Sequence, residues 1–126
     1  MRAVLDTSVL LGPPPLALAE ELAISSASLA ELHFGVLVAR SDAVQAERLR
    51  RLGTIERTFH ALPIDAIVAR AYGRIATAVV GARRQPRGRV MNLLIAATAL
   101  AHGARLYTRN PADLVGLDEL VDIHAL

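Results

Sequence analysis

Short apolar runs alternate along this chain with longer stretches of helical period. Arg2–Leu5 reads as a short buried strand, and Asp6 or Thr7 can cap a helical turn through Leu11. Gly12-Pro13-Pro14-Pro15 ends that turn as a stiff connection, and 16–21 is read as one further helical turn. Leu22–Ser25 reads as a second strand. Ser28 then stands three residues before Glu31, the spacing of a capping box, and Leu29, Leu32, Val36 and Ala39 follow at helical period.

Asp42 opens a helix with Ala46, Leu49, Leu52, Ile55 and Phe59 on one face. Arg48, Arg50, Arg51 and Arg57 fall mostly off that face. Leu62-Pro63-Ile64 is a brief extended piece, Asp65 caps a helix through Val80, and residues 81–88 form a basic loop. The apolar helix from Val90 to His102 stops at Gly103, a C′ residue by type. Arg105–Thr108 is a strand, Asn110-Pro111-Ala112-Asp113 a turn with Pro where type I wants it, and Leu120–His124 a last edge strand. Strands alternating with helices predict an α/β fold: a short, mostly parallel sheet covered on both faces.

Composition narrows the picture. The 126 residues predict one domain, residues 1–126. They are 53% hydrophobic and 3% aromatic, so the core must be built from Ala, Val, Leu and Ile. Cysteine is absent, which excludes disulfides and zinc–thiolate sites and is compatible with a reducing cytosol; the expected location is cytoplasmic. No apolar run reaches about 18 residues, so no membrane span is expected. The net charge of +2 hides an asymmetry: all fourteen basic residues are arginine. From Ala66 to Ala112 there are eight arginines and no acid, and from Asp113 onward four acids and no arginine. Such one-sidedness suits an anionic partner such as nucleic acid; an arginine-rich codon bias with solvated helix faces is the competing account.

The chemistry follows from position. In a parallel sheet the functional crevice lies beyond the carboxyl ends of the strands. Asp6, Glu31, Asn92 and Asp113 all fall there, at strand ends or helix starts. Clustered oxygen ligands of this kind hold Mg²⁺ or Mn²⁺, which can support phosphodiester hydrolysis. Each residue also has a plainer account: Asp6 as a helix cap, Glu31 as a capping-box acid, Asn92 as an N-cap, Asp113 as a turn former. His33, His60, His102 and His124 show no ligand spacing. Without lysine there is no standard P-loop and no phosphoryl-receiver site.

Val-Leu-Asp-Thr-Ser at residues 4–8, Ser-x-x-Glu-Leu-x-x-Gly at 28–35, Asn-Leu-Leu-Ile-Ala-Ala-Thr-Ala at 92–99 and Leu-Tyr-Thr-Arg-Asn-Pro-Ala-Asp-Leu at 106–114 resemble, in order and spacing, a PIN domain of the VapC toxin group. The resemblance covers nearly the whole chain. It implies a three-layer α/β/α fold and Mg²⁺- or Mn²⁺-dependent endoribonuclease activity on tRNA or rRNA. It also implies a VapB-type antitoxin that wraps the toxin and inserts an arginine or similar group into the acidic site. Asp6, Glu31 and Asn92 match the first three acids and Asp113 the fourth, with Asn110 the alternative at that corner. Thr7, Ser8 and Thr108 match hydroxyls that line the site.

Asn92 departs from the family, which carries Asp there. An amide oxygen can still ligate but brings no charge, which weakens the metal site. Reduced activity, a binding-only module and an engineered inactive form all account for it, and a DNA-directed nuclease is a further alternative. Arg83, Arg84, Arg87 and Arg89 are expected to meet RNA phosphates. Surplus apolar residues on the helices after Ser28 and Asp42 predict an antitoxin groove and a homodimer surface.

Overall fold

The computed structural model describes residues 2–13, 18, 20–82, 84 and 88–126. Among these residues five strands form one parallel sheet: β1 (Arg2–Leu5), β2 (Glu21–Ser25), β3 (His60–Leu62), β4 (Arg105–Thr108) and β5 (Ile123–Ala125), in the order β3-β2-β1-β4-β5. The helices are α1 (Thr7–Leu11), α2 (Ser26–Leu37), α3 (Asp42–Thr58), α4 (Ala66–Gly81) and α5 (Val90–Ala101), with a 3₁₀ turn at Pro111–Leu114. β1 therefore sits at the centre, between a neighbour from each half of the chain.

Alternation along β1 separates two cores. Ala3 and Leu5 face Val9 and Leu10 of α1, Leu32 and Val36 of α2, and Leu52 and Ile55 of α3. Val4 faces the other way, into Val68 and Ile75 of α4 and Leu93 and Ile95 of α5. The register pairs Val4 with Ala23 and Leu5 with Ile24, so like-facing residues stand side by side. Helices thus cover both faces, the three-layer α/β/α arrangement the sequence predicts. Among the described residues, no helix is long and apolar enough to cross a membrane.

Four elements differ from the sequence reading. The N-cap of α2 is Ser25, whose hydroxyl accepts from Ala27 N at 3.1 Å; Ser28 lies inside the helix and is fully buried. Ser25 also receives the Thr98 hydroxyl at 2.9 Å, a partner 73 residues away that fixes the cap there. β3 is His60–Leu62 rather than 62–64, because pairing with Ala23–Ser25 places it earlier and Pro63 has no N–H for a ladder. β5 is Ile123–Ala125 rather than 120–124, because Leu117 and Val121 are buried in the α4/α5 core as the chain turns towards the edge. Glu21 belongs to β2, not to a helical turn, whereas Leu16, Ala17 and Ala19 of that expected turn lie outside the described residues, as do Pro14 and Pro15.

The stop after α5 matches its expectation. Gly103 has φ +59, a left-handed conformation that glycine adopts without Cβ strain. Its N–H bonds Leu100 O at 3.1 Å, and Ala104 N bonds Ala99 O at 2.9 Å, a Schellman pair that turns the chain into β4. At the amino end of the sheet, Glu20 fastens the entry of β2 to β4. Its Oε1 accepts from Tyr107 OH at 2.7 Å and Arg105 Nη1 at 2.8 Å. The Tyr107 hydrogen bond first, then the backbone N–H of Glu20 and the Arg105 charge, hold this carboxyl below its ordinary range.

Candidate active site

The carboxyl end of β1 delivers Asp6 as the N-cap of α1. Its Oδ1 accepts from Val9 N at 3.3 Å and from the Ser8 hydroxyl. Its own N–H donates to Tyr107 O at 3.0 Å, which ties it to β4. Ser8 Oγ accepts from Arg109 N at 2.9 Å and lies 3.5 Å from Thr108 Oγ1, which in turn accepts from Asn110 N at 2.9 Å. Hydroxyls at residues 8 and 108 therefore lock the tips of β1 and β4 together around Asp6.

Thr7 reaches the other way. Its hydroxyl donates to Glu31 Oε1 at 2.6 Å and lies 3.1 Å from the buried Ser28 hydroxyl. Glu31, half-buried on α2, is thus held by a tertiary hydrogen bond rather than by the capping box its spacing suggested. Asn92 is the third residue of α5, whose N-cap is Arg89 and has no side-chain cap bond. Glu31, Arg89 and Asn92 line one cavity of about 300 Å³ at this edge of the sheet. A second cavity, about 380 Å³, is lined by Thr7, Glu31, Arg48 and Arg51.

The remaining expected residues are placed as follows. Asp113 is exposed on the 3₁₀ turn, and its backbone carbonyl accepts from Arg89 Nη1 at 3.3 Å. Asn110, also exposed, accepts from Asp113 N at 3.1 Å, the closing bond of the expected turn. Arg84 Nη1 donates to Ala112 O at 3.4 Å, so Arg84 and Arg89 both fasten their segment to that turn. Arg83 and Arg87 lie outside the described residues.

The donors are of the type a hard divalent cation takes: carboxylate, amide and hydroxyl oxygens. Among the described residues, the hydrogen bonds to Asp6 and Glu31 use Oδ1 and Oε1 and leave Oδ2 and Oε2 open. The charge is sparse, however. Among the described residues no three acidic, histidine or cysteine side chains are grouped to hold an ion. The residues fit such an ion in kind, and Asn92, an amide, adds an oxygen donor type without charge.

A family model of the PIN domain matches residues 3–114. No curated protein matches the chain. Among solved structures, a member of the VapBC family of toxin–antitoxin systems, VapBC-5 from Mycobacterium tuberculosis, is 31% identical with a TM-score of 0.84, covering 99% of this chain and 97% of that one. FitAcB from Neisseria gonorrhoeae is 26% identical with a TM-score of 0.77, covering 98% and 96%. VapBC2 from Rickettsia felis, solved bound to a promoter DNA fragment, has a TM-score of 0.79 at 22% identity, covers 100% and 99%, and shares the fold. The family match and the 31% identical relative agree with the order of motifs along the chain. The chain therefore belongs to the PIN-domain family, among the VapC-type toxins of the VapBC toxin–antitoxin systems, a group of nucleases.

Proposed function

We propose that this chain is a metal-dependent endoribonuclease toxin that cuts structured RNA such as tRNA or rRNA, with activity lowered by Asn92. One observation carries the reading: Glu31, fixed by Thr7 from the β1 tip, shares a cavity with Asn92 and Arg89. In this reading Asp6, Glu31, Asn92 and Asp113 would hold Mg²⁺ or Mn²⁺. When bound, such an ion supplies charge neutralisation for the cleaved phosphodiester and acidifies water.

The protein's own groups do the positioning. Ser8 orients the Asp6 carboxylate and Thr7 orients that of Glu31. Asn92, a neutral amide, lines the same cavity as Glu31. Arg89, anchored on the Asp113 carbonyl, also lines this cavity and would meet a phosphate bound there. In this reading the chain acts in the cytoplasm as a single-domain toxin, pairs with a VapB-type antitoxin and forms a homodimer. Phe34 and Leu37, 66% and 76% exposed on α2, support an apolar docking face for that antitoxin.

The test is RNA cleavage by the parent chain and by Asn92→Asp, in Mg²⁺, Mn²⁺ and EDTA. Weak, EDTA-sensitive cleavage that rises in the variant is expected; cleavage indifferent to EDTA would end the metal reading. A second reading, a binding-only module on the same scaffold, is favoured by the missing third charge at Asn92. It predicts no cleavage by the parent but retained RNA or antitoxin binding.

A further inference from the structure

Glu31 lines both cavities, and the second ends on two arginines that the sequence pattern had assigned to the solvent side of α3. Arg48 and Arg51 stand three residues apart, neighbours on one helix face. Arg48 Nη1 donates to Gly35 O at 2.6 Å, and Arg51 Nη1 donates to Leu11 O at 3.0 Å. Both acceptors lie in the last turns of their helices, where carbonyls lack intrahelical partners. Each guanidinium is thus fixed through one N–H, with further donors to spare. Among the described residues neither arginine is in a salt bridge, and Glu47, the acid beside Arg48 in sequence, is paired with Arg50.

We propose that Arg48 and Arg51 bind a backbone phosphate of the RNA in this second cavity, so that the strand passes over Glu31 from one arginine site to another. The inference rests on the RNA reading above. A nucleic-acid strand carries a charge at every nucleotide, so cleavage at Glu31 leaves phosphates on both flanks to be held. Arg89 answers one flank; Arg48 and Arg51 answer the other. An acidic peptide would account for either cluster alone, but not for cations in both cavities that meet at one carboxylate. Prepositioned guanidinium groups suit this task because their fork matches phosphate oxygens.

The experiment measures binding of an uncleavable 2′-O-methyl RNA of mixed sequence by fluorescence anisotropy across a salt series. The parent, Arg48→Gln/Arg51→Gln and Arg48→Lys/Arg51→Lys are compared. For the loss of one phosphate contact on a single strand, the slope of log affinity against log salt should fall by about 0.7 in the Gln pair. The Lys pair should keep most of the slope. If the Gln pair melts early, Arg51→Gln alone should weaken RNA binding and lower the slope by part of that about 0.7. Parent-like affinity and slope in the folded Gln variants would overturn the proposal while leaving the RNA reading intact. Failure of the parent itself to bind RNA would overturn the RNA reading, and this proposal with it. Loss of poly-glutamate binding with RNA binding unchanged would give the cavity to an acidic peptide and overturn the proposal as well.

Discussion

Replacing Asn92 by Asp adds a charge to the cavity that Glu31 also lines. The cavity they share holds about 300 Å³. Two carboxylates lining one cavity at a separation of roughly 7 Å repel by about 2 kcal/mol for an effective dielectric near 20. Both positions are half-buried, so screening by water is incomplete. The new charge also sits in the first turn of α5, where the helix dipole returns about 0.5 kcal/mol. Repulsion wins, and the variant should be less stable by about 1.5 kcal/mol in EDTA at neutral pH. In urea this lowers the unfolding midpoint by roughly 0.5–1 M.

The sign with pH follows from the same pair. The introduced carboxyl, facing a like charge, titrates above its ordinary value. Its penalty is full above that raised value and gone below the unfolded value of about 3.9, so the two midpoints should converge in acid. Mg²⁺ should act in the opposite sense at neutral pH: it should bind the variant at least about tenfold more tightly, about 1.4 kcal/mol, and restore or reverse the midpoint difference. Equal midpoints in EDTA would show that position 92 does not face Glu31 electrostatically, and a deficit that Mg²⁺ leaves untouched would show that it does not ligate.

Three further outcomes are expected. Thr7→Val removes the 2.6 Å donor to Glu31 and should cost about 1 kcal/mol in urea unfolding, with a larger loss in RNA cleavage; unchanged stability would mean water replaces the hydroxyl at no cost. Ser25→Ala deletes both the α2 cap and the partner of Thr98, and should cost about 1–2 kcal/mol; a loss under about 0.5 kcal/mol would refute the cap's role. Glu20→Gln should flatten the acid side of the stability–pH curve. The Tyr107 bond lowers the folded value, so this carboxylate stabilises above its unfolded value near 4.3 and loses that effect as pH falls through the lower folded one. A parallel acid limb in parent and variant would sink that assignment.

Local chemistry made part of this molecule legible. Arg2–Leu5 and Arg105–Thr108 are short apolar runs with only one stable use, and Asp65 and Gly103 are a cap and a stop by residue type. Misreadings arose where a distant partner decides. Ser28 satisfies the spacing of a capping box, yet Thr98 and the end of β2 put the cap at Ser25, which leaves Glu31 to Thr7. The apolar run 120–124 looks like a strand but is divided between a core plug at Val121 and an edge strand that starts at Ile123. Arg48 and Arg51 fall off the apolar face of α3, and only the α2–α3 hairpin, folding back on α1, brings them beside Glu31.

The bond from Asp6 N to Tyr107 O and the Ser8 contacts to Thr108 and Arg109 have a consequence for how the chain is made. On the ribosome the N-terminal end emerges first, and β1 can pair with β2 early. Its other neighbour is more than 100 residues behind in synthesis. Until Arg105–Arg109 clears the exit tunnel, Asp6 lacks its backbone acceptor and Ser8 lacks two of its partners. A nascent chain stalled or truncated before β4 would carry Asp6, Glu31 and Asn92 and still be unable to lock Asp6 in place. The ribosome would thus finish nearly the whole polypeptide before the Asp6 corner could take its final form.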